Sequence, residues 1–134
     1  MGIYVNPTER SFELSINSEI FVDKSGLIKE TNKCINTLQR YMCVSRPRRF
    51  GKSMAMDMLS AYYGRKTDAE NLFKGLKISH DESYDRHINK YDVLKINMQD
   101  FLSVTHSVDD MLKMLCEYIT DDFSIECKDI IFWV

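Results

Sequence analysis

Eight consecutive residues, RPRRFGKS at positions 46–53, have the types and spacing needed to bind phosphate groups. The last three, Gly51, Lys52 and Ser53, form the second half of the phosphate-binding loop pattern, in which a glycine and four residues precede Gly-Lys-Ser or Gly-Lys-Thr. In such a loop, backbone N–H groups bind phosphate oxygens, the lysine neutralises the outer phosphates and the hydroxyl ligates Mg²⁺. The segment is therefore a candidate P-loop, or Walker A motif, and we call it the basic loop.

The first glycine of the pattern is missing, because Arg46 stands in its place and Pro47 follows it. The alternative interpretation of the basic loop is an arginine-rich surface turn before an ordinary helix. Arg46, Arg48 and Arg49 cannot easily converge on one triphosphate, so we expect one of them to contact phosphate while the others pair with acids or stay solvated. The elements on either side of the loop help to decide between these interpretations.

The basic loop lies between a predicted strand and a predicted helix. Residues 40–45 are apolar and β-prone on both faces, as in a buried parallel strand, and Pro47 ends that strand because it has no backbone N–H. A helix is predicted to begin near Lys52, to carry apolar residues on nearly all sides and to end at Gly64. A strand, a loop and then a helix form the context in which the phosphate-binding pattern is credible.

The rest of the chain alternates between strand and helix signals. The predicted strands are 20–22, 40–45 and 91–98, and the predicted helices are 23–33, 52–63, 68–73 and 107–123. Asp23 and Ser107 are the expected caps of the first and last of these helices. This order predicts an α/β fold with a parallel sheet, in which ligands bind at the carboxyl ends of the strands.

Composition and charge argue against several classes of protein. A chain of 134 residues with 44% apolar content has the size of one domain, and its net charge of -2 disfavours a general binder of nucleic acid or membrane surfaces. No segment has the length and apolarity needed to span a bilayer. The four cysteines have neither CxxC spacing nor paired histidines nearby, which indicates reduced thiols and a cytoplasmic location.

Two further segments accompany the basic loop: residues 21–25 read FVDKS, and residues 72–78 read LFKGLKI. Together, the three segments resemble the AAA-ATPase-like domain family of bacterial and archaeal proteins, whose members carry a stretch similar to YVDKT, then RPRRFGKS with a helix, and later LFEGLKI. The resemblance covers residues 12–102. It also makes the absent first glycine a property of the family.

The resemblance implies binding of ATP and Mg²⁺ in a P-loop NTPase-like fold, a three-layer αβα arrangement around a parallel sheet. Residues 1–134 would form the N-terminal part of one such domain. Asp23 and its neighbours would lie near the adenine or brace the approach to the loop, although Asp23 fits a plain helix cap equally well. Ser53 is the implied metal ligand. The implied nucleotide-binding residues are Asp23, Arg46, Pro47, Arg48, Arg49, Phe50, Gly51, Lys52, Ser53 and Met54.

P-loop ATPases hold Mg²⁺ with a second acidic residue, and we do not find it in this sequence. The family supplies it in a stretch similar to LIDEYD. The chain ends in the apolar residues 130–134, which are typical of a strand cut short. We therefore expect either a fragment of a longer protein or a truncated gene product that is catalytically incomplete, and we assign no catalytic residue.

Three hypotheses for the function follow. The first is an ATP-binding domain that is catalytically incomplete in itself. The second is an ATPase whose site is completed in trans, by self-association or by a partner that supplies the missing acid and an arginine finger. The third is a nucleic-acid interaction module that uses the positive cluster between Arg46 and Lys52, and the net negative charge counts against it.

Overall fold

A computed structural model describes residues 3–65 and 67–126 of the chain. The α-helices in these ranges are α1 (Arg10–Ile16), α2 (Gly26–Cys34), α3 (Lys52–Tyr63), α4 (Glu70–Phe73), α5 (Tyr84–His87), α6 (Met98–Leu102) and α7 (Val108–Glu126). Two short 3₁₀ helices, Leu38–Arg40 and Lys77–His80, lie between them. None of the helices in these ranges is long and apolar enough to cross a membrane.

The predicted parallel sheet, and with it the three-layer αβα fold, is wrong for the part of the chain that the structure describes. Strand pairing there is limited to two isolated bridges, an antiparallel one between Val5 and Leu94 and a parallel one between Gly64 and Tyr91. Residues 41–47 form no strand and are exposed. The apolar, β-prone composition of a segment shows only that it suits a sheet, whereas a sheet also requires a partner segment elsewhere in the chain.

The helix predictions agree better with the structure. The helix after the basic loop, α3, spans Lys52–Tyr63 with Gly64 as its C-cap, as predicted. The expected cap at Ser107 is also confirmed, because its hydroxyl oxygen accepts the Asp110 N–H at 3.1 Å. By contrast, α2 begins at Gly26 with Ser25 as its N-cap, so Asp23 does not cap it directly.

Aromatic side chains from α1, α3 and α4 form the centre of the core. Phe12, Tyr62 and Phe73 are fully buried, together with Ile28 of α2. Phe12 stacks on Phe73 with ring centroids 5.1 Å apart, and Tyr62 meets Phe73 edge-on at 5.6 Å. Buried aromatic rings contribute a large share of packing energy because each removes an extensive apolar surface from water. This core holds α3, the helix that begins at the basic loop.

Two tyrosine hydroxyl groups join α3 to α2. The Tyr62 hydroxyl donates to the Tyr84 carbonyl at 2.7 Å and accepts from Asn32 Nδ2 at 3.1 Å. The Tyr63 hydroxyl donates to Asn32 Oδ1 at 2.6 Å. Burial raises the pKa of both tyrosines to about 12, so the two hydroxyls keep their protons at neutral pH and can act as donors.

Asn89 caps the C-terminal end of α3. Its φ of 53° places it in the left-handed region, which asparagine tolerates better than most residues do. Its Nδ2 donates to the Gly64 carbonyl at 2.7 Å and to the Ala61 carbonyl at 3.3 Å, while its backbone N–H donates to the Tyr62 carbonyl at 2.7 Å. The last carbonyls of a helix lack partners within the helix, and Asn89 supplies donors to several of them.

We expect Asn89→Ala to lower the free energy of unfolding by about 2 kcal/mol, because alanine removes the side-chain donor and fits the left-handed region less well. Urea unfolding followed by circular dichroism measures this difference. Asn89→Gly is the matched variant, since it keeps the backbone conformation and loses only the side-chain bonds, so it should lose less. Wild-type stability in both variants would contradict a capping role.

Candidate functional site

The basic loop connects the exposed residues 41–47 to α3. Its arginines and Phe50 are exposed, and α3 begins at Lys52, directly after Gly51. The predicted order of loop and helix is therefore confirmed, whereas the strand expected before the loop is not formed.

Two residues of the basic loop have left-handed backbone conformations, Arg49 with a φ of 67° and Gly51 with a φ of 77°. Such a φ costs an ordinary residue about 1–2 kcal/mol, and glycine avoids this cost because it has no Cβ. A Cβ at Gly51 would also lie only 2.5 Å from the Lys24 ammonium nitrogen. The lysine end can move aside at little cost, so it is the left-handed backbone turn that favours glycine at position 51.

The N-terminal end of α3 is open to a ligand. The first backbone N–H groups of a helix have no acceptor within the helix, and Gly51 at the N-cap has no side chain to supply one. The helix hydrogen bonding begins with the Ala55 N–H, which donates to the Gly51 carbonyl at 2.9 Å. Unpaired N–H groups and the positive end of the helix dipole together attract anions.

The Lys52 side chain folds back over the basic loop. Its ammonium donates a short hydrogen bond to the Arg46 carbonyl and lies 3.5 Å from the Pro47 carbonyl oxygen. Lys52 therefore joins the first turn of α3 to the start of the loop. Backbone carbonyls are neutral acceptors, and a phosphate oxygen would be a stronger acceptor for the same ammonium.

Lys24 reaches the other end of the basic loop from the segment before α2. Its ammonium donates to the Phe50 carbonyl at 2.5 Å, and its side chain is half-buried. The sequence patterns identified Asp23 and its neighbours without distinguishing Lys24. The available signal was the lysine of the FVDKS segment, but its contact with a loop 26 residues later depends on tertiary structure.

Asp23 accepts backbone N–H groups from two segments of the chain, its own and the segment at Lys77. One carboxylate oxygen accepts the Ser25 N–H at 2.8 Å, and the other accepts the Lys77 N–H at 2.8 Å. Burial alone would raise the pKa of Asp23, but the hydrogen bonds from Ser25 and Lys77 outweigh burial and lower this pKa below its ordinary value. Both oxygens already have partners, which fits a structural role, and contact with a nucleotide stays a prediction.

Two cavities share Gly51 and Lys52 as lining residues. The first, of about 330 Å³, is also lined by Lys24 and Arg46, and by the apolar side chains of Leu27, Val44, Phe50 and Ala55. The second, of about 590 Å³, is also lined by Arg48, Arg49, Ser53 and Gln99. The three arginines are thus divided between two cavities, and Lys52 is the lysine common to both.

Ser53 also lines a third cavity, of about 240 Å³, with Asp57, Lys95 and Gln99. Asp57 lies one helical turn after Ser53 and forms an ion pair with Lys95. Asp57 is not among the residues that the sequence patterns identified for this site, although its spacing from Ser53 places the two residues on one face of a helix. Within residues 3–65 and 67–126, no group of three or more His, Cys, Asp or Glu side chains is arranged to hold a metal ion.

The remaining predicted residues surround the same turn. Pro47 offers its carbonyl to Lys52, and Phe50 is 59% exposed at the rim of the first cavity. Met54 is half-buried, and its terminal methyl carbon lies 3.8 Å from the position that a Cβ would take at Gly51. The predicted loop residues therefore lie together, with Asp23 connected to them through Lys24.

Comparison with known proteins gives one result for this chain. A family model described as predicted AAA-ATPase matches residues 10–131, which is most of the sequence. No curated protein and no solved structure matches the chain. The matched range includes the basic loop, the segment around Lys24 and the segment around Lys77.

Because the pKa of Asp23 is lowered in the folded state, its ionised form stabilises the fold above the ordinary aspartate pKa of about 4, and this contribution is lost as the pH falls further. Asp23→Asn should therefore be less stable than wild type at pH 7, and the difference should shrink towards pH 3. Urea unfolding at several pH values measures it. Asp121→Asn, which changes an exposed aspartate of α7, is the control. A gap that stays constant across this pH range would contradict the assignment.

Proposed function

The chain belongs to the predicted AAA-ATPase family, and on that premise we propose that it binds ATP, together with Mg²⁺, at the basic loop. The observation that best supports this proposal is the start of α3. Its first turn has no side-chain cap, follows a left-handed glycine and carries Lys52 and Ser53 as its first two residues. A phosphate group at this position would accept backbone N–H groups and interact with the helix dipole.

The charges around the basic loop favour a polyphosphate over a singly charged anion. The first cavity brings Lys24, Arg46 and Lys52 together, and none of the described residues that line it carries a carboxylate. Several positive charges at one site repel one another unless an anion offsets them. A chain of phosphates carries several negative charges and can contact more than one of these side chains.

The apolar wall of the same cavity suits the rest of a nucleotide. Leu27, Val44 and Phe50 line it beside the three cations. Ligand sites in proteins combine such apolar surfaces with a few polar groups that fix the orientation of the ligand. A nucleoside polyphosphate has this combination of an apolar face and a charged tail.

The residues at the start of α3 also fit a bound metal. Mg²⁺ is usually held by one or two protein groups together with the phosphates of the ligand, so a single hydroxyl from Ser53 is a sufficient starting point. When bound, Mg²⁺ would offset part of the phosphate charge. Asp57 is close along the helix, but its carboxylate is paired with Lys95.

The proposal concerns binding and not hydrolysis. Turnover needs a positioned nucleophile and stabilisation of charge on the transferred phosphoryl group. Two acids are the first to consider. Asp23, in the FVDKS segment, already accepts two backbone N–H groups. Asp100, on α6 outside the three family segments, accepts Asn97 Nδ2 at 2.9 Å. We therefore assign neither of them a catalytic role.

Lys52→Ala should weaken ATP binding about tenfold or more, since a charge-assisted hydrogen bond contributes roughly 1.5–3 kcal/mol. Arg49→Ala is the matched control, because it removes one positive charge from the same loop and should cost much less. Isothermal titration of both variants with ATP and Mg²⁺ measures the two losses, and thermal melts verify that both fold. Equal losses would contradict the role of Lys52, and salt-sensitive binding of DNA or RNA with indifference to ATP would favour the nucleic-acid hypothesis.

Ser53→Ala should remove the magnesium-dependent part of ATP affinity and leave the metal-free part nearly intact, because the hydroxyl acts only through the metal. The measurement is ATP titration in saturating Mg²⁺ and again in excess EDTA. Ser45→Ala is the control, since it removes a hydroxyl from an exposed position just before the loop. The same affinity for wild type and Ser53→Ala in saturating Mg²⁺ would rule out the assignment.

A further inference from the structure

We propose that Lys24 is a second phosphate-binding lysine of this site, an inference that rests on ATP binding at the basic loop. Lys24 lies 28 positions before Lys52 in the sequence, yet the two residues line the same cavity. Both also donate to carbonyls of the same loop, Lys24 to Phe50 and Lys52 to Arg46. The two lysines therefore bind the loop near its two ends and both face the space where the ligand would lie.

The position of Lys24 is fixed by the residues on either side of it. Asp23 accepts the Lys77 N–H, and the Ser25 hydroxyl oxygen accepts the Ile78 N–H at 3.1 Å. Ser25 is fully buried, so this connection is protected from water. Because both neighbours are held by the segment at residues 77–78, the backbone at Lys24 is restrained, which lowers the conformational entropy lost when a ligand binds.

The hydrogen-bonding capacity of Lys24 is not used up by the loop. An ammonium group has three N–H donors, and the Phe50 carbonyl takes one of them. Lys24 also forms none of the ion pairs found among the described residues. Lys24 shares its cavity with Arg46 and Lys52, and the part of the chain that the structure describes places no acid in the cavity wall, so Lys24 has donors and charge available for an anion.

Affinities for AMP, ADP and ATP test whether Lys24 contacts phosphate or only positions the loop. We expect Lys24→Met to weaken ATP binding about tenfold or more, ADP binding less and AMP binding least, because the lost charge interacts with the phosphate chain. Lys24→Arg keeps the charge and should recover most of the affinity. Lys33→Met is the matched control, since Lys33 pairs with Glu30 on the exposed side of α2, and it should stay within about twofold of wild type.

An equal loss for all three nucleotides would mean that Lys24 only positions the loop, and no loss would mean that it does not act at the site. Either result would overturn the inference. Full recovery by Lys24→Arg, with a loss in Lys24→Met that grows with the number of phosphates, would support it.

Lysine acylation of the wild-type chain gives a readout that does not depend on variants or on a measured affinity for ATP. Acetic anhydride at limiting concentration, followed by mass spectrometry of peptides, reports the reactivity of each lysine with and without inorganic tripolyphosphate or Mg-ATP. We expect both ligands to slow acylation of Lys24 and Lys52 and to leave Lys33 unchanged.

Protection of Lys52 without protection of Lys24 would overturn the inference and leave the proposed function intact. Protection of Lys24 by tripolyphosphate, in a chain that shows no ATP binding by titration, would support Lys24 as an anion-binding lysine and contradict the proposed function. If neither ligand protected either lysine, both proposals would be wrong.

Discussion

The unpaired backbone groups at the two ends of α3 are treated differently: the carbonyls at one end receive donors from another segment, whereas the N–H groups at the other end receive no side-chain acceptor from the N-cap residue. At the C-terminal end, Asn89 supplies donors to the Ala61, Tyr62 and Gly64 carbonyls. At the N-terminal end, Gly51 offers no side-chain acceptor to the first N–H groups. Since a helix leaves unpaired groups at both ends, satisfying one end from within the protein and leaving the other without a side-chain acceptor is the arrangement that the proposed anion site requires.

The three family segments are connected by hydrogen bonds to the backbone. Asp23 and Ser25 of the FVDKS segment accept the N–H groups of Lys77 and Ile78 in the LFKGLKI segment. Lys24, between them, donates to Phe50 of the basic loop. Side-chain bonds to backbone groups constrain the path of a chain whatever side chains lie on the partner segment. The FVDKS segment thus joins a structural contact on one side to the candidate site on the other.

Features that depend on residues close together in the sequence could be predicted, whereas features that depend on contacts between distant residues could not. The boundaries of α3 follow from residues close in sequence, the apolar spacing after Lys52 and the glycines at positions 51 and 64, and they were predicted well. The strands at 40–45 and 91–98 were predicted from composition, but a strand forms only if another segment pairs with it, and the described residues provide two isolated bridges.

The candidate site shows the same difference between local contacts, which could be predicted, and distant contacts, which could not. The residues of the basic loop are adjacent in sequence, so a pattern could identify them together. Lys24 joins them through a contact across 26 positions, and no periodicity reports such a contact. Asp57 is an intermediate case, because its spacing from Ser53 was visible in the sequence while its pairing with Lys95, across 38 positions, was not.

The basic loop and Lys24 are held together by weaker versions of the interactions that a ligand would make. Lys24 and Lys52 donate to neutral carbonyls of the basic loop, and Arg46 shares their cavity, in which no acid among residues 3–65 and 67–126 forms part of the wall. A phosphate oxygen is a stronger acceptor than a carbonyl and would also relieve the repulsion among the cations, so the proposed binding would replace weak hydrogen bonds with stronger ones. Part of this gain in free energy would be lost, because a carbonyl that gives up its lysine donor also loses a hydrogen bond. On the proposed function, the free energy of binding would therefore be coupled to the conformation of the loop, and a ligand that favours the folded loop would stabilise α3 through its first turn.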